Sequence, residues 1–452
     1  MKLWIAEGFL KPVEAKSLED VAMEYLEDLI DRNLIIVYKR GKLGKIKTCT
    51  IHDLLRDLCL KEAQKENFLC ITRAYHIDTF PPNIENKRRL CIRTSGTKGH
   101  SSQSFNAPRS ASFARSLVCN DFGWGSWGLA RHLKLLRVLD VRDGYSPKEI
   151  LQLVNSRYLN FYGGSNINLR LSSSVSLLWN LQILIARGSC RITLPSEIWK
   201  MVQLRHLEYG QILLSDPPHQ SNHIASQDSC ILENLQTLST VKNLRFTEEV
   251  LKRIPNLKKM KIVYEDVCMG FDLEWSSYYL KDLVRLSKLE SLTCEMYSCD
   301  KIPTSNFALP HSLKKLSLRG CDLAWEDMRI VGSLPNLEVL KLERFAFEGP
   351  EWDPTEGEFV RLKFLLINTT DLKYWRAEHT HFPSLEHLVL RFVDLEEIPV
   401  GLAEIHTLRV IELKQCKDSV LDSVKQILEE REDMGYEGLQ IKVHTRGGGK
   451  YY

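Results

Sequence analysis

The chain has 452 residues, 44% hydrophobic and 26% charged, with a formal net charge of +3; it is too long for one ordinary compact core and suits two or three domains or an elongated repeat array. The composition excludes wholesale disorder, no apolar run approaches the roughly eighteen residues of a membrane span, and Glu7 and Gly8 interrupt the place where a secretory signal is apolar, so an intracellular setting is expected. Twelve cysteines without a C-x-x-C pair read as reduced, mostly buried small residues, and the only basic segment, 71–130 with 8 basic and 3 acidic side chains, is weak support for a nucleic-acid or membrane partner.

Ser17 to Asp20 has the form of a capping box, and Leu18, Val21, Ala22, Tyr25, Leu26, Leu29 and Ile30 then share one helical face. Leu34 to Tyr38 and Ile46 to Ile51 read as strands joined by the turn KRGKLGK. A helix from Asp53 to Gln64 is expected to bury Leu54, Leu55, Leu58 and Cys59. Helix, hairpin, helix is a winged-helix layout, here partial and assigned to residues 1–70. The wing lysines and arginine (Lys39, Arg40, Lys42, Lys45, Lys47) could meet phosphates. However, Asp53 to Glu66 holds three basic and four acidic residues, a poor recognition helix, so a DNA-binding role is disfavoured.

Residues 71–130 read as a linker and cap, with RRLCI from Arg88 and RSLVC from Arg115 as its strands around a Gly/Ser-rich loop, Thr94 to Ser112, expected to be disordered. From residue 131 to 415 the unit L-x-x-L-x-x-L-x-L recurs, as in LKLLRVLDV from Leu133, LPNLEVLKL from Leu334 and FPSLEHLVL from Phe382. Its third apolar position falls at residues 139, 159, 184, 207, 238, 260, 292, 316, 340, 365, 388 and 411, a step of about 25 residues, the period of leucine-rich repeats. Both leucines of L-x-L point inward because a strand alternates its side chains, and the residue between them faces the concave side. One such unit cannot offset its own chain entropy, so about a dozen must stack. Prolines such as Pro255, Pro335 and Pro383 exclude a coiled coil. Ser156 stands where a leucine belongs and marks an expected weak point. An amphipathic helix, Val420 to Arg431, and a strand, Leu439 to Val443, form the cap within 416–452. The expected fold is therefore α/β: a leucine-rich-repeat solenoid with a curved parallel sheet, preceded by a partial winged helix.

Residues flanking the inward positions are the partner-binding candidates: Arg142, Glu208, Lys261, Arg319, Lys341, Arg391, Glu412 and Lys414. Their mixed signs suit a protein surface. Trp325, Trp352 and Trp375 follow strands in variable loops, where an exposed aromatic would be a hot spot, although packing under those loops is the favoured reading for each. His379 and His381 beside Glu378, with His387 near, read as surface histidines, and no metal site is expected. No G-x-S-x-G elbow and no G-x-x-x-x-G-K-[ST] loop occurs, so no enzyme activity is expected.

LWIAEGFL at Leu3, LEDLIDRNLI at Leu26 and TIHDLLRDLC at Thr50 resemble the winged-helix part of the nucleotide-binding (NB-ARC) domain of plant intracellular immune receptors. LKLLRVLD, EIWKMVQLRHLE and EEVLKRIPNLKKMKI resemble the repeats of the solanaceous late blight resistance homologues, a coiled-coil type subgroup, and the resemblance spans about residues 1–445. The family's Met-His-Asp motif reads Ile51, His52, Asp53 here. The resemblance implies that His52 contacts the β-phosphate of ADP; Asp53 can cap the helix it begins, and without the family an isolated His-Asp at a helix start is more often a cap than a ligand. Because the phosphate loop and coiled coil are missing, the chain reads as a truncated form that holds no cofactor itself, ADP and ATP being cofactors of the intact family. The implied function is disease resistance in plant defence: recognition, in the cytoplasm or peripherally at membranes, of a pathogen effector or a guarded host protein. The repeats would repress the nucleotide-binding half, and activation would lead to a hypersensitive response. A non-signalling scaffold, decoy or pseudogene product is the alternative, and a DNA-binding winged-helix protein the third reading.

Overall fold

The computed structural model describes residues 1–41, 44–74, 87–94, 113–119, 133–141, 151–162, 168–188, 191–218, 230–265, 278–297, 307–445 and 448–451. Arg142 and most of the loop expected at Thr94 to Ser112 lie outside these residues. The chain forms two compact units, Met1–Thr240 and Val241–Tyr452.

In the first unit, helix α1 (Lys2–Glu7) precedes helix α2 (Leu18–Asp31), whose N-cap Ser17 accepts a hydrogen bond from the Asp20 N–H at 3.2 Å. Ile5 of α1 packs with Leu10 and Ala22, and Trp4 and Leu18 lean on the same cluster. Strands β1 (Ile35–Arg40) and β2 (Ile46–Ile51) pair antiparallel, with Ile35 opposite Ile51. Helix α3 (Asp53–Lys65) follows as expected, but none of its residues is buried: Leu54 is 77% and Leu58 55% exposed. The expectation that these leucines enter a core is corrected, because no described element packs over that face.

The repeats continue the unit. Strands β3 (Cys70–Ala74), β4 (Arg89–Thr94), β5 (Ser116–Cys119), β6 (Val138–Val141) and β7 (Tyr158–Tyr162) lie parallel in chain order. Strand β8 (Asn168–Arg170) and β10 (Arg191–Leu194) form a side branch, while β9 (Ile183–Arg187) joins β7 to β11 (His206–Leu214). Their register sets Cys70, Leu90, Leu117, Leu139, Leu159, Leu184 and Leu207 in one line. The inward leucines stack as the period of two requires. Ser156 is fully buried and its hydroxyl lies 3.5 Å from the Leu136 carbonyl, so a polar group fills a leucine's place with a long backbone contact.

The unit boundary falls within strand β12 (Thr237–Lys242). In the second unit, β13 (Lys259–Glu265), β14 (Ser291–Tyr297) and β15 (Lys315–Arg319) are parallel neighbours. A short strand, β16 (Leu323–Ala324), intervenes before β17 (Val339–Glu343); further pairs form from β18 (Phe347–Glu348) with β16, and β19 (Glu351–Trp352) with β21 (Tyr374–Trp375). The main ladder continues through β20 (Phe364–Thr370), β22 (His387–Val393), β23 (Val410–Lys414) and β24 (Gln440–Thr445), and β25 (Gly448–Tyr451) returns antiparallel. Met260, Leu292, Leu316, Leu340, Leu365, Leu388, Ile411 and Ile441 align and are buried.

Helix Asp418–Asp433 closes this end with Val420, Val424 and Ile427 inward. Buried Arg431 donates to the carbonyls of Ala403 at 2.9 Å, Ile405 at 2.8 Å and Leu408 at 3.3 Å, satisfying backbone acceptors at the end of the stack. Of the nine described cysteines only Cys119, Cys294 and Cys321 are buried; Cys49 and Cys59 are exposed, which corrects the expectation of a mostly buried set.

Candidate partner-binding surface

The residue before each inward leucine faces the open side of the ladder. In the first unit the register places Arg89, Ser116, Val138, Tyr158, Ile183 and His206 in one such row. Helix α1 and the start of α2 cover it. Ala6 packs with Val138, Tyr158, Ile183 and Ile185, with Leu3 alongside. Glu7 accepts from Arg89 Nε at 3.0 Å and from the Ser116 hydroxyl, while the Arg89 guanidinium lies 4.3 Å from the Phe68 ring centroid and 5.2 Å from that of Phe9. Lys2 pairs with Glu208 at 2.6 Å.

The densest polar contact surrounds Glu19 of α2. Arg205 Nη1 reaches its two oxygens at 3.3 and 3.0 Å, Gln236 donates at 2.7 Å, and His206 Nε2 lies at 3.1 Å. Burial works against the charged carboxylate, but the hydrogen bond from His206 and the Arg205 charge outweigh it, so Glu19 is held below the usual carboxylate range. Burial pushes His206 below its ordinary value, against the pull of Glu19. A neutral His206 fits the network: Nε2–H donates to Glu19 and Nδ1 accepts from the Thr237 hydroxyl at 3.0 Å, a tautomer assigned from these partners.

Sequence reasoning named Glu208 here and missed Lys2, Glu7, Glu19, Arg205, His206 and Gln236. A signal was available: Val138, Tyr158 and Ile183 are apolar at positions where an uncovered sheet face is polar.

In the second unit Lys261 pairs with Glu295 at 2.9 Å and Arg319 reaches the same carboxylate at 3.8 Å, while Arg391 pairs with Glu412. The Lys341 ammonium lies 5.9 Å from the Phe364 ring centroid, and that of Lys414 lies 5.7 Å from Phe392. The register puts the six candidates Lys261, Arg319, Lys341, Arg391, Glu412 and Lys414 on the open face. On that face Lys259, Lys261, Lys315, Arg319, Lys341, Arg391, Lys414 and Lys442 outnumber Glu265, Glu295, Glu343 and Glu412, although residues 241–452 hold 35 acidic and 30 basic side chains. The face is thus basic on an acidic unit.

The three tryptophans are not surface anchors. Trp325, Trp352 and Trp375 are buried, with centroids 5.1 Å apart for the first pair and 5.3 Å for the second, the latter nearly parallel at 3°. Phe359 and Phe382 meet Trp352 edge-on, and Trp325 Nε1 donates to the Gly349 carbonyl at 2.9 Å. Their place among the partner candidates is therefore corrected: they form core beneath the loops.

His52, not Asp53, is the N-cap of α3: its Nδ1 accepts from the Leu54 N–H at 3.3 Å. Asp53 is the first helical residue and pairs with Arg56 at 3.2 Å. Both side chains are exposed, and with Nδ1 accepting from the helix only Nε2 is left to donate, so these two residues alone do not fit a nucleotide site. His379 pairs with Glu404 at 2.8 Å and His381 Nδ1 accepts from the Glu378 N–H at 2.8 Å. No group of metal-ligating side chains converges among the described residues, and no described helix is long and apolar enough to cross a membrane.

A helix-hairpin-helix module laid on the open face of an L-x-L ladder defines a winged-helix, leucine-rich-repeat protein. Residues 1–59 match the disease resistance protein winged helix domain, and residues 114–325 match the leucine-rich repeat region. The chain is a homologue of the late blight resistance proteins of Solanum demissum. It is 34% identical to one putative late blight resistance protein homolog of that species, over 95% of this chain and 56% of the relative. With a late blight resistance protein of the same species it shares 32% identity, over 95% of this chain and 34% of the relative. It therefore spans from about a third to just over half the length of these relatives. A leucine-rich-repeat protein of Leptospira interrogans superposes with a TM-score of 0.42 at 17% identity, covering 78% of this chain and 91% of that one, a fit too loose to carry an argument.

Proposed function

We propose that this chain is the recognition and repression part of a plant disease resistance receptor acting in the cytoplasm by binding rather than catalysis. Its repeats engage a pathogen effector or a guarded host protein, directly or through an intermediary, and that event releases a hypersensitive response. The observation that carries the reading is the seating of a disease-resistance winged helix on the open face of its own repeats, through Glu19, Ala6 and Glu7. Such a contact ties occupancy of the repeats to the position of the winged helix. The exposed face of α3, with Leu54 and Leu58, together with exposed Ile36 and Tyr38, supports a nucleotide-binding half as the second partner. In that assembly His52 would be the residue of this chain that offers a donor to a nucleotide phosphate.

The test is transient expression in leaves together with the amino-terminal portion of a late blight resistance relative. Cell death that requires both parts and a matching effector is the expected result. Association of the two parts without cell death under any effector would instead make the chain a non-signalling scaffold.

A further inference from the structure

We propose that the covered row of the first unit is an exchangeable receptor for an acidic helical segment of a partner protein, and that α1 and α2 are its resident ligand. The inference rests on reading the repeats as the recognition surface. Two carboxylate sites bracket an apolar floor: Arg89 and Ser116 hold Glu7, and Arg205, His206 and Gln236 hold Glu19. They lie five strand steps apart by the register, roughly 24 Å at the usual strand spacing. Between them Val138, Tyr158 and Ile183 accept a side chain as small as Ala6.

The resident ligand shows the chemistry. Leu18–Asp31 carries Glu19, Asp20, Glu24, Glu27, Asp28 and Asp31 and no basic residue. One arginine nitrogen bridging both oxygens of Glu19, with His206 and Gln236 as two further donors, makes a site that favours an acidic side chain over a neutral one. Because the apolar floor is paved on the strands and not on the helices, it persists when the helices leave. A partner segment with two acidic groups at that spacing, carried like Glu7 and Glu19 on two short helical stretches, therefore finds a complete site as soon as the resident pair swings off. Competition of this kind converts binding into displacement of the winged helix, since the two ligands exclude each other.

The test uses the full chain and a labelled synthetic peptide of its own residues 1–31, followed by fluorescence anisotropy. Substituting Glu7→Gln and Glu19→Gln in the chain weakens the resident ligand, so the peptide should bind that variant at least about tenfold more tightly than it binds the unmodified chain. A peptide bearing the same two glutamines should lose at least about tenfold, and Arg205→Glu in the chain should abolish binding. Raised hydrogen exchange in α2 of the unmodified chain on adding excess peptide would show displacement. Binding that ignores the peptide's carboxylates, or no binding to the Gln variant while its melting curve stays cooperative, would overturn the proposal. The leaf assay can fail while this titration succeeds, which would leave the receptor site standing and remove only its role in defence.

Discussion

Glu19 makes a folded-state contact whose pH dependence has a definite sign. A carboxylate with a depressed folded value contributes stability above its ordinary value, 4.5, and loses it as pH falls through the folded one. His206 is also depressed, so it favours folding most above its ordinary 6.5 and least once it is forced to take a proton. Both act in the same direction: thermal stability should decline as pH drops from about 6.5 and again below about 4.5. His206→Gln, which keeps an N–H donor, should flatten the upper limb of a melting-temperature profile and leave the lower one. At the core, Trp352→Ala removes the middle ring of a stack and should cost about 3 to 5 kcal/mol by chemical denaturation. His52 predicts the opposite kind of result. With one exposed ring and no phosphate loop, the purified chain should show no saturable ADP or ATP binding in a submicromolar titration, and a tight isotherm would reverse that reading.

Elements were legible in the sequence wherever a period was long enough to repeat. The L-x-L strands, α2, the hairpin and the carboxyl-terminal helix each carry their own alternation or helical face, and the register lines the expected inward residues up from Leu139 to Leu207 in the first unit and from Met260 to Ile411 in the second. Helix α1 was not legible, because Lys2–Glu7 is too short to show a period and turns its two faces to different partners, Ile5 to α2 and Ala6 to the strands. The leucines of α3 mislead for a related reason: amphipathicity announces that a face will be covered, but not by which chain. Leu54→Asp should therefore shift the stability of this chain by no more than about 0.5 kcal/mol, the range of surface changes. Leu340→Ala, at a position read from the same kind of pattern but fully buried, should cost about 2 to 5 kcal/mol. The partner-binding surface was only half legible, since charged residues on the open rows can be picked out from spacing while Glu19 and Arg205, 186 residues apart, share no local pattern.

At the scale of the whole molecule, a ladder of repeats gains stability mostly from nearest neighbours, yet the first unit adds contacts that join its first thirty residues to strands as late as β11. Those contacts explain why a row that should be polar is apolar. Val138, Tyr158 and Ile183 are buried with Ala6 of α1 packed against them; the corresponding row of the second unit mixes Lys259, Ser291 and Lys315 with Val339, Phe364 and Val410. A chain starting at residue 32 would keep every L-x-L strand but expose that floor, and apolar patches of this kind drive association. It should therefore elute as oligomers in size-exclusion chromatography where the full chain does not. Adding Val138→Thr and Ile183→Thr to the shortened chain should restore a single species, because the β-branched shape suits the strand while the hydroxyl tolerates water. Oligomers that persist after both substitutions would place the cause elsewhere, in strands destabilised by the loss of the helices, and would make the winged helix a structural cap for the repeats and not a removable cover.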